Sequence, residues 1–130
     1  MANFEDLSNE FFKQVGKMIP SDEQKQKINM AGAKVLQQHI SDAAKQKHYS
    51  NRQDEDPLHM ADDLKVSPKK TSPDVNVGFE NKGYIARMLN DGTKTIKGDH
   101  WYDNAFKAAK PDVFEAMKKE WESGTTNNNA

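Results

Sequence analysis

The chain contains no cysteine. Disulfides and thiolate metal sites are therefore excluded, and a reducing compartment is allowed but not required. No apolar run approaches the ~20 residues of a membrane span. Neither sign of charge dominates: 19 basic residues stand against 20 acidic ones, a formal net charge of −1. Nothing global therefore points to a nucleic-acid binder, which is usually basic. The N-terminal MANFEDLSNEFF carries acids where a secretory signal peptide needs basic residues, so export by that route is not expected. There is no internal repeat. No serine lies in a G-x-S-x-G elbow, and GFENKG has neither the spacing of a phosphate loop nor a following helix.

What is present is enough for one domain with one modest core: 130 residues, 35% hydrophobic and 30% charged. Residues 3 to 19 read as an amphipathic helix. Asn3 can cap it, and Phe4, Leu7, Phe11, Val15 and Met18 fall on one face at spacings of three and four. Pro20 stops it. Ser21-Asp22-Glu23-Gln24 fits a capping box, in which the Ser and Gln side chains satisfy each other's backbone N–H groups. The helix it opens reaches about Lys47, with Ile28, Ala31, Val35, Leu36, Ile40 and Ala43 on its apolar face. That makes it about 39 Å long at ~1.5 Å per residue. Gly32, inside it, is either tolerated or placed there for a close backbone approach.

Residues 48 to 60, HYSNRQDEDPLHM, break the periodicity and read as a mobile loop, acidic at Asp54-Glu55-Asp56. Leu64 and Val66 begin a strand that stops at Ser67-Pro68. Val75, Val77 and Phe79 alternate with Asn76 and Gly78 as in a half-buried antiparallel strand. Residues 84 to 90, within GYIARMLNDGTK, read as a third strand ending in the Asn90-Asp91-Gly92 turn. Tyr84, Ala86 and Met88 then point under the helices, and Arg87 shares a face with Ile85 and Leu89 or lies at the sheet's end. Asp99 can cap a last helix from Trp101 to about Glu122, with Trp101, Ala105, Ala108, Ala109, Val113, Met117 and Trp121 on its apolar face. At Pro111 it either kinks or gives way to a new helix. Residues 124 to 130, GTTNNNA, read as a disordered tail. The expected architecture is α+β: two N-terminal helices, a small antiparallel sheet of three strands, and a C-terminal helix packed on it, in one domain over residues 1–123.

Candidate chemistry is sparse. The histidines are His39, His48, His59 and His100, with Asp62 and Asp63 following His59 and with Asp99 and Asp103 beside His100. No pair has the spacing of a metal-ligand motif, so neither metal nor cofactor is expected. His39 reads as a packing residue. Glu80, Asp91 and Asp99 could work as general acid and base only if the fold gathered them. Between Lys65 and Lys110 nine basic residues (Lys65, Lys69, Lys70, Lys82, Arg87, Lys94, Lys97, Lys107, Lys110) face five acids (Asp74, Glu80, Asp91, Asp99, Asp103), a local balance of +4. With Tyr84, Trp101 and Tyr102 nearby, this is either a solvated rim or a nucleic-acid face. Arg87 stands apart, because arginine among apolar residues is favoured at subunit interfaces.

The run from His59 to Phe106, with HMADDLKVS, VNVGF, GYIARMLNDGTK and IKGDHWYDNAF, resembles the tail-component family of long-tailed bacteriophages. The matching features are Val77-Gly78-Phe79, the stretch from Tyr84 to Thr93, and His100-Trp101. Asp91 departs from the pattern, since many relatives carry an aromatic before Gly-Thr, which leaves the packing of that turn unassigned. The resemblance implies a non-enzymatic virion structural protein, without cofactor, that acts in tail completion or head–tail joining. Its expected places are the tail or neck of the virion and, during assembly, the host cytoplasm.

On this reading each copy docks by its sheet edge or its 84 to 94 strand onto another copy, forming a ring, or onto tail-tube, terminator or connector proteins. The isolated protein is then a monomer or an oligomer, and no membrane is involved. Arg87, Asn90, Asp91, Gly92, Thr93 and Trp101 form the candidate interface. Asp54, Glu55 and Asp56 would line a lumen through which DNA passes without sequence-specific binding. The alternatives are a tail terminator or other neck protein and, further off, a small metal-dependent nuclease or toxin, or a DNA-binding accessory protein.

Overall fold

A computed structural model describes residues 2–15, 21–48 and 60–128. Helices α1 (Phe4–Val15) and α2 (Asp22–His48) come first. A 3₁₀ turn (Met60–Asp62), strands β1 (Leu64–Pro68) and β2 (Val75–Phe79), and helices α3 (Gly83–Asp91) and α4 (Trp101–Asn128) follow. The fold is α+β, with an antiparallel sheet of two strands. Of the loop expected at 48–60, His48 ends α2 and Met60 opens the 3₁₀ turn, while residues 49–59, with Asp54, Glu55, Asp56 and His59, lie outside the described residues, as do Met18 and Pro20.

The N-terminal helices start as their sequences dictate. Asn3 and Asp6 cap α1 reciprocally: each backbone N–H donates to the other's side chain, at 3.3 and 3.4 Å. Ser21 Oγ accepts the Gln24 N–H at 3.1 Å. Only this half of the expected capping box forms, because the Gln24 side chain is buried and its amide bonds nothing among the described residues. On α2 the buried stripe is Ile28, Gly32, Ala33, Leu36, Ile40 and Ala44, while Ala31, Val35 and Ala43 are only half-buried at its flank. The stripe shifts toward Gly32 because α4 packs there. An added Cβ on Gly32 would lie 2.6 Å from Met117 Cγ and 3.2 Å from Val113 Cγ1. The glycine therefore serves close packing of the two long helices, which carry the core's largest helix–helix contact.

The hairpin follows its alternation. Leu64, Val66, Val75, Val77 and Phe79 share the face toward the helices, and Leu64 pairs with Phe79, Val66 with Val77. α2 fixes it from outside: Gln37 Nε2 donates to the Leu64 carbonyl at 2.8 Å, and Gln26 Nε2 to the Lys69 carbonyl at 2.8 Å. Asn29 Nδ2 reaches the Pro73 carbonyl at 3.0 Å while its Oδ1 accepts from the buried Ser8 hydroxyl at 2.7 Å, so one side chain joins α1, α2 and the hairpin turn.

The expected third strand is a helix. Residues 83–91 bury Ala86 and Asn90, one turn apart, half-bury Ile85 and Leu89, and leave Tyr84 65% exposed and Met88 37% exposed. A period of 3.6 thus replaces the period of 2, and Tyr84 and Met88 do not pack under the helices. Gly92 ends the helix with φ 90°, its N–H donating to the Met88 carbonyl at 2.8 Å, as a glycine just past a helix end does. In α4, Pro111 sits within one continuous element that runs beyond Glu122 to Asn128. Residues 124–128, expected in a disordered tail, carry its helical backbone. Ala108, expected on the apolar face, is exposed, and Tyr102 and Phe106 take its place.

Gly32→Ala tests the α2–α4 contact. Helix propensity alone would stabilise by up to about 1 kcal/mol, but overpacking against Met117 costs roughly 1–3 kcal/mol. Urea unfolding is expected to show a net loss near ~1 kcal/mol. In a Met117→Ala background the sign reverses, because the obstructing side chain is gone. Equal losses in both backgrounds would refute the packing role.

Candidate functional site

The segment from α3 to the start of α4 holds most of the candidate interface residues. Asn90, the penultimate residue of α3, is completely buried. Its Oδ1 accepts the backbone N–H groups of Tyr102 (2.9 Å) and Asp103 (3.1 Å), capping α4 from a different element. Its Nδ2 donates to Asp91 Oδ1 (2.8 Å) and Asp103 Oδ2 (2.9 Å). Its backbone carbonyl accepts the His100 N–H at 3.0 Å, and the Leu89 carbonyl accepts that of Asp99 at 3.1 Å. Asp99 Oδ1 caps the Trp101 N–H at 3.0 Å, as the sequence predicts.

The intervening loop folds back tightly. Gly92 bridges to Lys97, and Thr93 Oγ1 accepts the N–H groups of Thr95 (3.2 Å) and Ile96 (3.0 Å). A Cβ on Gly98 would stand 2.5 Å from the Asn90 carbonyl oxygen, so only glycine lets the chain pass there. His100 then adopts φ 55°, turning the chain into α4.

A second buried polar group secures the other end of α3. Asp63 has no solvent exposure. Its Oδ2 accepts the N–H groups of Asn81 (2.8 Å) and Lys82 (2.7 Å), and its carbonyl accepts that of Glu80 at 3.3 Å. Sequence reasoning places Asp63 in an acidic cluster beside His59 and misses this role. The available signal is the pair of turn residues Asn81-Lys82, whose N–H groups must find acceptors.

The candidate interface therefore divides. Arg87, Asp91 and Thr93 are exposed and Gly92 is half-buried, while Asn90 and Trp101 are sealed inside the fold, where they hold it together. Arg87 does not share a strand face with Ile85 and Leu89. It lies beside Tyr84 and Met88 on the outer side of a helix, three residues from one and next to the other, with no ion pair or hydrogen bond among the described residues. Tyr84 and Arg87 line a groove along β2 together with Ala2 and Tyr102. Tyr102 Oη donates to the Ala2 carbonyl at 2.9 Å, tying the first residues of the chain to α4. Burial, then the Asp103 and Asp6 carboxylates, push the Tyr102 phenol up to about 12.

The other candidates stay apart. His39 Nε2 meets Asp112 Oδ2 at 2.9 Å at the surface, and His100 Nδ1 meets Asp103 Oδ2 at 3.3 Å, the oxygen that also accepts from Asn90 Nδ2. Among the described residues no group of three or more His, Asp or Glu side chains is placed to hold a metal ion. Asp91 and Asp99 are engaged as hydrogen-bond acceptors around Asn90 and the α4 start, and Glu80 lies at the end of the hairpin. The nine basic residues are spread over the hairpin, α3, its following loop and α4. Lys110 pairs with Glu10 at 3.1 Å and covers the Phe114 ring.

Asn90→Ala leaves two α4 N–H groups uncapped in a buried site and is expected to cost about 3 kcal/mol in chemical denaturation. A loss under ~0.5 kcal/mol would show that α4 caps itself. Tyr102 gives a pH signature. Its folded-state value of about 12 lies above the ordinary 10.0, so the stability it contributes is complete below pH 10 and is lost as pH rises toward 12. Tyr102→Phe is expected to cost about 1 kcal/mol near neutrality, for the lost hydrogen bond. Its deficit against the parent then shrinks as pH rises through that window, and a constant deficit would contradict the assignment.

No protein-family profile, curated protein or solved structure matches the chain.

Proposed function

We propose that the protein is a virion structural component of the tail-completion or head–tail joining kind, acting by ring assembly and docking at the head-proximal end of a phage tail. The resemblance between His59 and Phe106 supplies the class. The observation that carries the docking part is the outer face of α3. There Tyr84, 65% exposed, stands with Met88 and an Arg87 that has no partner among the described residues. Aromatic, methionine and arginine side chains are the residues that interface centres favour, and arginine can pair bidentately with a carboxylate across a contact. The face is held at fixed geometry, because Asp63 anchors the start of α3 and Asn90 its end. A rigid element with its contact residues already placed loses little freedom on binding.

The docking partner is a second copy or a tail-tube or neck protein of the same virus. Light scattering on the purified protein, alone and mixed with these proteins, is expected to show a ring or a joint complex. A protein that stays at monomer mass with every partner would sink the proposal. Arg87→Ala is expected to weaken complex formation about tenfold or more, as removal of an interface anchor does. It should change the unfolding free energy by less than ~0.5 kcal/mol, since the side chain is exposed. Loss of the fold instead would make Arg87 a structural residue.

A further inference from the structure

The two outer edges of the hairpin are treated differently. The backbone bonds Lys69 N–H to the Asp74 carbonyl and Glu80 N–H to the Asp63 carbonyl set the ladder's phase. By alternation, Lys65 and Ser67 bond across to Gly78 and Asn76, while Leu64, Val66 and Pro68 turn their backbone groups outward on β1, and Val75, Val77 and Phe79 do so on β2. The β1 edge is blunted. Gln37 occupies the Leu64 carbonyl, and Pro68 has no N–H. The β2 edge is not. Its Val75 end lies against Asn3 and Ser8 of the α1 end, but no backbone group outside the hairpin bonds Val77 or Phe79 among the described residues.

That unbonded stretch lines the groove: Val77 and Phe79 share it with Tyr84 and Arg87, and Leu64, Tyr102, Ala2 and Asn3 are among its other walls. Its volume of about 410 Å³ falls within the range of ligand clefts, ~300–1,000 Å³. Among the described residues, Arg87 is the only charged side chain lining it. We infer that this groove takes an extended peptide segment of a partner protein, which adds a strand to the β2 edge and sets an acidic side chain against Arg87. Two independent observations select that occupant. Unpaired edge N–H and C=O groups call for another main chain, and an unpartnered guanidinium calls for a carboxylate. The inference deepens the docking reading and rests on it for the role of Arg87.

The test is a titration of the 15N-labelled full chain with an acetylated, amidated heptapeptide, Thr-Val-Thr-Glu-Thr-Val-Thr. Its variants with glutamine at the centre, and with alternate backbone N-methylation, are titrated alongside. The Val77 and Phe79 amide signals are expected to move with the first peptide and not with the N-methylated one. The glutamine variant binds about tenfold more weakly, as loss of one charge-assisted pair implies. In Arg87→Gln protein the two unmethylated peptides bind alike. Equal binding of the N-methylated peptide, shifts confined to other surfaces, or no shifts at millimolar peptide would each overturn the inference. A silent peptide titration with normal complex formation would reject the groove alone. Peptide binding by a protein that joins no assembly would reject the virion role alone.

Discussion

The Asn90 carboxamide accepts two backbone N–H groups of α4, donates to two carboxylates, and has no contact with water. A buried amide so placed allows few alternatives, because each group released would have to be left unpaired away from solvent. Its consequence is geometric. α3 and α4 share one cap, so the loop from Gly92 to His100 must close within hydrogen-bond reach. Gly92 and Gly98 are the residues that let it do so. Asp63 does the same at the start of α3, taking up the N–H groups of the turn that leaves β2.

With both ends held, α3 has no freedom in which face it presents. Ala86 and Asn90 go in, and Tyr84, Arg87 and Met88 stay out. The rigid platform behind it is the α2–α4 pair, drawn close at Gly32. The hairpin is pinned to that platform by side-chain amides from α2. One of them takes up the Leu64 carbonyl on β1, while Val77 and Phe79 on β2, beside α3, have no backbone partner outside the hairpin among the described residues. The candidate docking surface and the unbonded stretch of β2 thus lie together because the same few buried polar contacts position both.

Much of this architecture is legible in the amino-acid order. The starts of α1, α2 and α4 announce themselves through Asn3, Ser21 and Asp99, whose short polar side chains bond N–H groups within a few residues of themselves. The strands show their alternation. α3 reads wrongly as a strand because Tyr84, Ile85, Ala86, Met88 and Leu89 form a short apolar run, which suits a buried strand as well as a helix. The discriminating signs are weaker: Ile85 and Leu89, and Ala86 and Asn90, sit four apart, and a glycine stands just past the end. Of the candidate interface, Arg87 stays in view once the element changes, whereas Asn90 and Trp101 are internal.

Local chemistry in the sequence determined what needs only near neighbours: where the long helices begin, which hairpin residues face inward, and that no thiol chemistry is available. Tertiary structure alone decided the rest. Whether Asn90 is a turn residue or a buried cap depends on Tyr102 and Asp103, a dozen residues away. Whether Asp63 is a surface acid or an anchor depends on the turn at Asn81 and Lys82. Which hairpin edge is bonded from outside depends on Gln37 reaching Leu64 from another helix. These are long-range hydrogen bonds whose value comes from burial, and burial is a property of the assembled fold that no local stretch of residues carries.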